Sequence, residues 1–555
     1  MSKAMLLTRR RYQPPIGTAP AGIPAQLKRY DGGSGNARFR GAVPFAKGVL
    51  TSSEGVSAFR ILVNGVEPAG GVFAKLLDTR HRDGSYRSVY VEFDAECAPF
   101  EEIPCVVHLG MSRTVPDMEA PADAVELSPR SWQAAATLFG ITDDQYLCDA
   151  EIVPMPLVPL RHPGIPDNVR EFLTTGHDIW NARTEAAKAA QYDEQYALAC
   201  RYICTGNLDY LAECLRRHQS DNVPTTLTRM PFSYYIVSST FDPGVDPGLM
   251  MNPSGYESTG DEAGRTGEQW SVGLTWFPIY VLTGWEYARI GLERCGAESM
   301  SDIGYSSVGS FGGDGSWVYP RQLSRRKLRG AALGATIEQH RHINLSSGVH
   351  FQRPGGAQVA VSMRTRVQAL ITRYKNLAAS IVPGAGGVPA WIPENLWLCG
   401  PNALNGTYDM LPTFQFITAE ALWITYNAGI DTRDEILAAL DVIADLCLSQ
   451  LRLAGNSTAS GYPIYGMPYG LTNPPENTTA ENGTYSIMTA WLYGWKWARQ
   501  GDEAARDMCA HVLDIRHIRY ALNAVEGFDR KTTGEIYYMA YHAAALLAGA
   551  PAVEE

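Results

Sequence analysis

The sequence lacks the motifs of several common enzyme classes. It contains no phosphate-binding P-loop, no dinucleotide-binding glycine pattern, no Gly-x-Ser-x-Gly elbow and no His-Glu-x-x-His zinc motif. It also has no apolar run of membrane-spanning length, and its N-terminal segment lacks the long apolar region of a secretory signal. We therefore exclude these enzyme classes, expect no membrane partner and predict no cofactor.

Positive charge is scarce. The chain has 47 Lys and Arg against 58 Asp and Glu, which gives a net charge of −11. Its one dense basic cluster, Ser324 to Arg329, is interpreted as a solvated helix face, with contact to an acidic ligand as the alternative. A nucleic-acid-binding protein needs a basic stripe with interleaved aromatic residues. We therefore expect no nucleic-acid partner.

Cysteines are present but unpaired in sequence. None of the ten forms a Cys-x-x-Cys pair with a second pair at zinc spacing, and most lie in apolar helical stretches. Cys200 and Cys204 share a helix face, which leaves a metal site or a disulfide open as an alternative. The pattern favours buried free thiols, a reducing site of synthesis and no bound metal.

What the chain does have is a degenerate repeat of helical hairpins. Each copy is an aromatic-rich helix, a turn glycine and a second helix with an acidic first turn. The turn glycines are Gly206, Gly284, Gly429, Gly501 and, in a final half-copy, Gly549. The interval from Gly284 to Gly429 is the longest and leaves room for one more copy. Stacked hairpins predict a solenoid or a closed toroid, with the aromatic helices lining the concave side.

The region before the repeat has a different pattern. FRILVNG, RSVYVEF and CVVHLG are short β-branched or aromatic runs separated by turn residues, which predicts strands. We predict a multidomain α+β fold: an extended N-terminal arm over residues 1–35, a small antiparallel β-barrel or sandwich over 36–125, and a large (α/α) toroid of helical hairpins over 126–555.

Two segments of the β-region carry a family resemblance. GAVPFAKGVL, from Gly41 to Leu50, and HRDGSYRSVYVEF, from His81 to Phe93, resemble paired motifs of the N-terminal β-domain of exo-acting rhamnogalacturonan lyases. WVYPRQLSRR, from Trp317 to Arg326, resembles the Tyr-Pro-Arg segment of the toroids that follow in that family. The resemblance implies a β-domain followed by an (α/α) toroid that acts on a polysaccharide.

The residues of these motifs also have a structural interpretation. Pro44 and Gly48 fix a strand entry and a turn, and Asp83-Gly84 forms a tight turn that Ser85 can cap. Arg87 can pair with Asp83 or Asp94. We therefore expect these residues to hold the β-domain together and not to touch substrate.

Cleavage of a sugar chain beside a uronate by β-elimination needs a base and a cation. Tyr319 and Arg321 share one loop, and His340 stands beside Arg341 and His342. We predict Tyr319, Arg321 and His340 as catalytic residues. The alternative for the His-Arg-His run is a helix C-terminus, where cations interact with the helix dipole.

Hydrolysis of a sugar chain instead needs two carboxyl groups across the scissile bond. Glu268 and Glu481 occupy equivalent positions, each in a long loop before an aromatic helix. We predict them as catalytic carboxylates facing each other across the bowl. The alternative is that both are first-turn acids at helix starts.

Aromatic side chains supply candidate stacking surfaces for sugar rings. Most tryptophans lie in helices and are expected to be core residues. Aromatics in loops are the predicted ligand-binding residues: Trp317, Trp391, Tyr462, Tyr465 and Tyr469.

Together these observations predict a carbohydrate-active protein that binds or cleaves an acidic or surface polysaccharide, as a lyase or a glycosidase. Synthesis without a signal peptide and a Pro-rich N-terminal arm fit a phage virion tail component that contacts neighbouring virion proteins through that arm. Two alternatives remain. One is a non-catalytic structural tail or baseplate protein with the same fold, and the other is a cytoplasmic oligosaccharide-degrading enzyme.

Overall fold

A computed structural model shows a sheet at the N-terminal side of the chain and helices beyond it. It describes residues 22–119, 136–181, 194–217, 273–285, 412–456, 461–467, 483–518 and 533–553, with isolated helical residues between 288 and 372.

The N-terminal part is a seven-stranded curled sheet. Its strands are β1 (Ile23–Arg29), β2 (Gly35–Pro44), β3 (Phe59–Val63), β4 (Phe73–Leu76), β5 (Ser88–Cys97), β6 (Glu102–Leu109) and β7 (Thr137–Ile141). They lie in the order β3-β6-β1-β7-β2-β5-β4, antiparallel except for the short parallel contact of β2 with β7. A short 3-10 helix, Ser53–Ser57, contacts both edge strands of the sheet, β3 and β4.

The strands of the sheet come from a longer stretch of the chain than the predicted residues 36–125. β1 comes from the segment predicted as an extended arm, and β7 comes from the segment assigned to the toroid. β1 pairs with both β6 and β7, so it is an interior strand. Its buried residues alternate with more exposed ones, because one face packs into the core. The predicted boundaries at 35 and 125 are therefore corrected to place both strands in the sheet.

The segments carrying the family resemblance bind each other. The amide of Phe45 donates to the carbonyl of Arg87 at 2.8 Å, and the amide of Gly48 donates to Oγ of Ser85 at 2.9 Å. The Arg87 guanidinium donates to the carbonyl oxygens of Arg80 and Glu151. These contacts show that both motifs hold the β-domain together, as expected.

The rest of the described chain is mainly helical, which confirms an α+β chain with its β-region first. The helices are α1 (Asp144–Asp149), α2 (Asp167–Asn181), α3 (Glu194–Thr205), α4 (Leu208–Arg217), α5 (Gly273–Thr283), α6 (Pro412–Asn427), α7 (Asp434–Ser449), α8 (Gly483–Met488), α9 (Ala490–Gln500), α10 (Glu503–Val512) and α11 (Thr533–Leu547). A two-stranded hairpin of β8 (Arg452–Asn456) and β9 (Pro463–Gly466) lies between α7 and α8.

The predicted turn glycines end helices as expected. Gly206, Gly284, Gly429, Gly501 and Gly549 have φ of 68°, 66°, 71°, 69° and 88°. This left-handed conformation is easy for glycine and strained for other residues. The glycines at 206, 429 and 501 join α3 to α4, α6 to α7 and α9 to α10. The additional copy expected before Gly429 falls largely outside the described residues.

Three of these turns pack against the β-domain. A side chain on Gly206 would overlap the carbonyl of Thr142, one on Gly284 would meet the Tyr90 ring, and one on Gly429 would meet Arg82. By contrast, no atom lies within 4 Å of the Cβ position at Gly501 or Gly549. The β-domain therefore covers the turn end of one part of the helical array.

Helices that precede the turns contact one another through aromatic rings. Tyr196 of α3 contacts Tyr538 of α11 with ring centroids 5.0 Å apart, and both stand at similar positions before their turn glycines. Trp423 of α6 stacks on Trp491 of α9 at 4.8 Å. The last helix, α11, packs between α3 and α9.

The tryptophans of these helices belong to the core, as expected. Trp276, Trp423, Trp491 and Trp495 are all fully buried. The idea that aromatic helices present their rings to an open concave face is therefore wrong for these four side chains. Trp423 and Trp491 stack on each other, so the ring faces in contact are not available to a sugar.

The described cysteines, including Cys200 and Cys204, are buried free thiols.

Candidate functional site

Most of the predicted site residues fall outside the described part of the chain. These are Glu268, Trp317, Tyr319, Arg321, His340, Trp391, Tyr469 and Glu481. Tyr462 and Tyr465 are described, and both belong to the β8–β9 hairpin region. They lead to a cluster of titratable side chains at the end of α10.

Tyr462 and His511 form the centre of this cluster. The Tyr462 hydroxyl lies 3.0 Å from Nδ1 of His511, and the two rings stack with centroids 4.4 Å apart and an interplanar angle of 9°. Nε2 of His511 lies 2.8 Å from the carbonyl oxygen of Pro463. A carbonyl can only accept, so Nε2 carries a proton. In the neutral ring, Nδ1 is then an acceptor for the Tyr462 hydroxyl, which also lies 3.3 Å from the carbonyl oxygen of His511.

A paired cation covers the same tyrosine. The Arg516 guanidinium lies 4.1 Å from the centroid of the Tyr462 ring. Its Nε and Nη2 donate to the two carboxylate oxygens of Asp514 at 2.8 and 2.7 Å, and Asn168 of α2 also donates to Asp514. Burial opposes ionisation of Asp514, but the hydrogen bonds from Arg516 outweigh it and lower the pKa of that carboxyl. Asp514 is thus an ionised anchor that orients Arg516.

Protonation states in the cluster follow from burial. Burial raises the pKa of Tyr462 to about 12, so its hydroxyl keeps its proton at neutral pH. Burial also lowers the pKa of His517 to about 4, which keeps that ring neutral. At pH 7 the cluster therefore holds a protonated Tyr462 hydroxyl, a neutral His517 ring and an arginine paired with an ionised carboxylate.

The contacts change the role expected for Tyr462. It was predicted to stack on a sugar ring, but His511 and Arg516 both lie over its face. Stacking of a sugar there requires one of them to move, because a ring needs a free face to stack. Its hydroxyl, which is hydrogen-bonded to a histidine, is the group that could take part in acid–base chemistry. Tyr465 is half-buried and meets the His511 ring edge-on at 5.2 Å.

Sequence reasoning missed four members of this cluster: His511, Asp514, Arg516 and His517. They all lie in HVLDIRH, which begins in the last turns of α10. Two histidines, an acid and an arginine directly after an amphipathic helix were the available signal. Nothing in the sequence connects this segment to Tyr462, which is brought to it by the β8–β9 hairpin.

The cluster lies at the end of α10 that is remote from the Gly501 turn. α10 begins beside the Gly501 turn and ends at Val512, next to His511. Its ten residues span about 15 Å at the rise of an α-helix. The cluster is thus remote from the Gly501 turn, and Asn168 near the start of α2 contacts it through Ala510 and Asp514.

Other kinds of site are not seen in the part of the chain that the structure describes. Within the ranges given above, no three or more His, Cys, Asp or Glu side chains are grouped so that they could hold a metal ion. No helix among those ranges is long and apolar enough to span a bilayer.

Comparison of the chain with protein-family models, curated proteins and solved structures finds no match.

Proposed function

We propose that the protein is a carbohydrate-active protein in which helical hairpins close into an (α/α) toroid that binds or cleaves a polysaccharide. Two observations support the toroid. The turn glycines repeat in one conformation, and α11 packs between the first-hairpin helix α3 and the helix α9. In an open solenoid the last helix is remote from the first, whereas in a ring they are neighbours.

The proposed substrate side is the end of the array opposite the covered turns. The β-domain packs on the turns at Gly206, Gly284 and Gly429, so that end is occupied. The Tyr462–His511 pair lies at the end of α10 that is remote from the Gly501 turn. We propose that the predicted residues Tyr319, Arg321, His340, Glu268 and Glu481, with Trp317, Trp391 and Tyr469, complete a site there.

The observation that carries the chemistry is the 3.0 Å hydrogen bond between Tyr462 and His511. In β-elimination, a base takes the proton beside the uronate carboxylate, the C–O bond to the leaving sugar breaks, and an acid protonates the leaving oxygen. Nε2 of His511 already carries a proton and Nδ1 faces the Tyr462 hydroxyl, so the histidine takes up the substrate proton through the tyrosine. Tyr462 passes its own proton to Nδ1, its oxygen accepts the substrate proton, and the pair can return a proton to the leaving oxygen by the same route. The pair therefore favours a lyase.

Hydrolysis has weaker support at this cluster. It needs two carboxyl groups in different protonation states. Asp514 is the carboxylate of the cluster, and both of its oxygens are bound by Arg516. An ionised carboxylate held in this way is a poor proton donor. A glycosidase would have to use carboxylates such as Glu268 and Glu481.

The test is turnover of acidic polysaccharides by the wild type and by a Tyr462→Phe variant. Pectic, capsular and lipopolysaccharide glycans are incubated with protein, and unsaturated uronates are followed by absorbance and reducing ends by chemistry. Loss of the hydroxyl should lower kcat about 10²–10⁴-fold, the usual contribution of a general acid. The melting temperature should change little.

The matched control is Tyr30→Phe. Tyr30 is also half-buried and donates its hydroxyl, to Asp209 at 3.0 Å, but it lies between β1 and α4. This variant should keep wild-type turnover. Unsaturated product formed equally fast by Tyr462→Phe would remove the acid–base role. If the wild type neither binds nor turns over any of these glycans, the structural tail-protein alternative would be favoured.

A further inference from the structure

One buried histidine fastens the strand that carries this site. His517 is fully buried after the end of α10. Its Nε2 lies 2.9 Å from the carbonyl oxygen of Tyr465 and 3.2 Å from the amide nitrogen of the same residue. In one neutral tautomer Nε2 donates to the carbonyl, and in the other it accepts from the amide. Either tautomer bonds the same residue of β9.

The same strand sets the tautomer of His511. Pro463, two positions before Tyr465 in β9, presents the carbonyl that accepts from Nε2 of His511. Tyr462, directly before the strand, presents the hydroxyl that bonds Nδ1. A shift of β9 relative to α10 therefore moves both partners of His511 together.

We propose that His517 is a positioning residue for the Tyr462–His511 pair: by bonding the backbone of Tyr465 it holds the Pro463 carbonyl and the Tyr462 hydroxyl against the two nitrogens of His511. The inference builds on the proposed acid–base role of that pair. It adds a residue that touches no substrate and acts through the backbone of β9.

The surroundings of His517 support this role. Its ring lies 6.0 Å from the His511 ring at an interplanar angle of 78°, so one ring limits how far the other can turn. Burial lowers the pKa of His517, with the nearby His511 lowering it further and Asp514 opposing. The ring is thus neutral over the physiological range, as a bond from either tautomer to the strand requires.

The alternative is that His517 only fills space. A space-filling ring can be replaced by an aromatic ring of similar size, whereas the positioning role needs a polar atom at Nε2. His517→Phe keeps a ring and removes the bond to β9. His517→Gln retains a polar side-chain end that can reach the Tyr465 backbone. These two variants separate packing from positioning.

The measurement is NMR of the full-length protein labelled with ¹⁵N-histidine, with the His511 signals assigned from a His511→Asn variant. Wild-type His511 should show the Nε2–H tautomer. His517→Phe should shift those signals toward a mixture of tautomers and lower kcat about 100-fold, the cost of a misplaced reacting group, with KM little changed. His517→Gln should restore most of both.

The matched control is His81→Gln. His81 is also buried and its Nε2 bonds a backbone carbonyl, that of Phe45 at 2.8 Å, but it lies in the β-domain. This variant should leave the His511 signals unchanged even where it lowers the melting temperature.

Two results would overturn the positioning role. One is a wild-type spectrum that shows His511 in the Nδ1–H form, a result that does not depend on the folding of any variant. The other is His517→Phe with wild-type His511 signals and a lowered melting temperature, which would indicate packing alone. Both are independent of turnover, so they are distinguishable from a failure of the lyase proposal, which is read from Tyr462→Phe.

Discussion

The hairpin turns at Gly206 and Gly501 have the same sequence signal and the same backbone conformation, but different surroundings. Both glycines have φ near 70° and both donate their amide back to the preceding helix. Gly206 lies against the carbonyl of Thr142 in the β-domain, and Gly501 has open space at its Cβ position. At Gly501, glycine is required for its left-handed backbone conformation. At Gly206, it is required for that conformation and also because a side chain would collide with Thr142.

This difference shows how the β-domain selects its place on the helical array. The turns at Gly206, Gly284 and Gly429 approach β-domain atoms so closely that a methyl group would collide with them. The turns at Gly501 and Gly549 have no such neighbour. Each turn glycine thus ends its helix. At three turns, the absence of a side chain also allows the β-domain to pack closely against the backbone.

The largest expected effect separates these two reasons. Gly501→Ala should cost about 1–2 kcal/mol, the strain of a left-handed conformation for a residue with a Cβ. Gly206→Ala adds a collision with backbone that cannot rotate away, so it should cost about 3 kcal/mol or more in total. Urea unfolding of both variants measures the difference. Equal losses would mean that the contact with Thr142 relaxes at no cost.

A second expected effect concerns acid. His81 lies in the β-domain turn beside Arg82, which meets Gly429, and burial with the charge of Arg87 holds its pKa well below 6.5. The unfolded chain then binds a proton that the folded chain does not, so stability falls as pH drops below about 6.5. The slope contributed by His81 is at most about 1.4 kcal/mol per pH unit.

At the open turn the acid window is different. The amide of Ala505 donates to Asp502 and lowers the pKa of that carboxyl. Its contribution is present above the unfolded pKa and is lost only as pH falls below about 3.8. Unfolding at pH 7 and pH 5 should therefore show a smaller pH dependence in His81→Gln than in the wild type, while Asp502→Asn keeps the wild-type dependence. His517 and His542 act in the same direction as His81 and remain in both variants.

The smallest expected effect is at the helix caps beside the two turns. Asp502 accepts from the amide of Ala505 at 3.0 Å, and Asn207 accepts from the amide of Asp209 at 2.9 Å. Replacing either by Ala should cost about 1 kcal/mol, the usual value of an N-cap. Similar losses in thermal unfolding would locate the difference between the turns in the glycines. A much larger loss for Asn207→Ala would place part of it in the cap.

The turns were predictable from sequence because their cause is local. A glycine after an apolar-periodic helix adopts a conformation that the neighbouring residues decide. The outer limits of the sheet were not predictable in this way. β1 is IPAQLKR, with a proline at its second position, and its identity as an interior strand comes from β6 and β7, which lie far along the chain.

The candidate site divides similarly. Loop aromatics could be singled out as surface groups, and Tyr462 was among them. Its partner His511 is fixed by a tertiary contact between the β8–β9 hairpin and the end of α10, which no periodicity encodes. The tautomer of His511 depends on a carbonyl of Pro463, and a backbone atom carries no residue-type signal at all.

The position of α11 between α3 and α9 has a consequence for biosynthesis. α3 ends at Thr205, and its neighbour α11 begins only at Thr533. The face of α3 that holds Tyr196 therefore stays without its final partner while more than three hundred further residues leave the ribosome. The β-domain has no such wait, because its strands end at Ile141. We expect the β-domain to fold first and α11 to dock between α3 and α9 last, with the interval between them exposing apolar helices to chaperones and to aggregation.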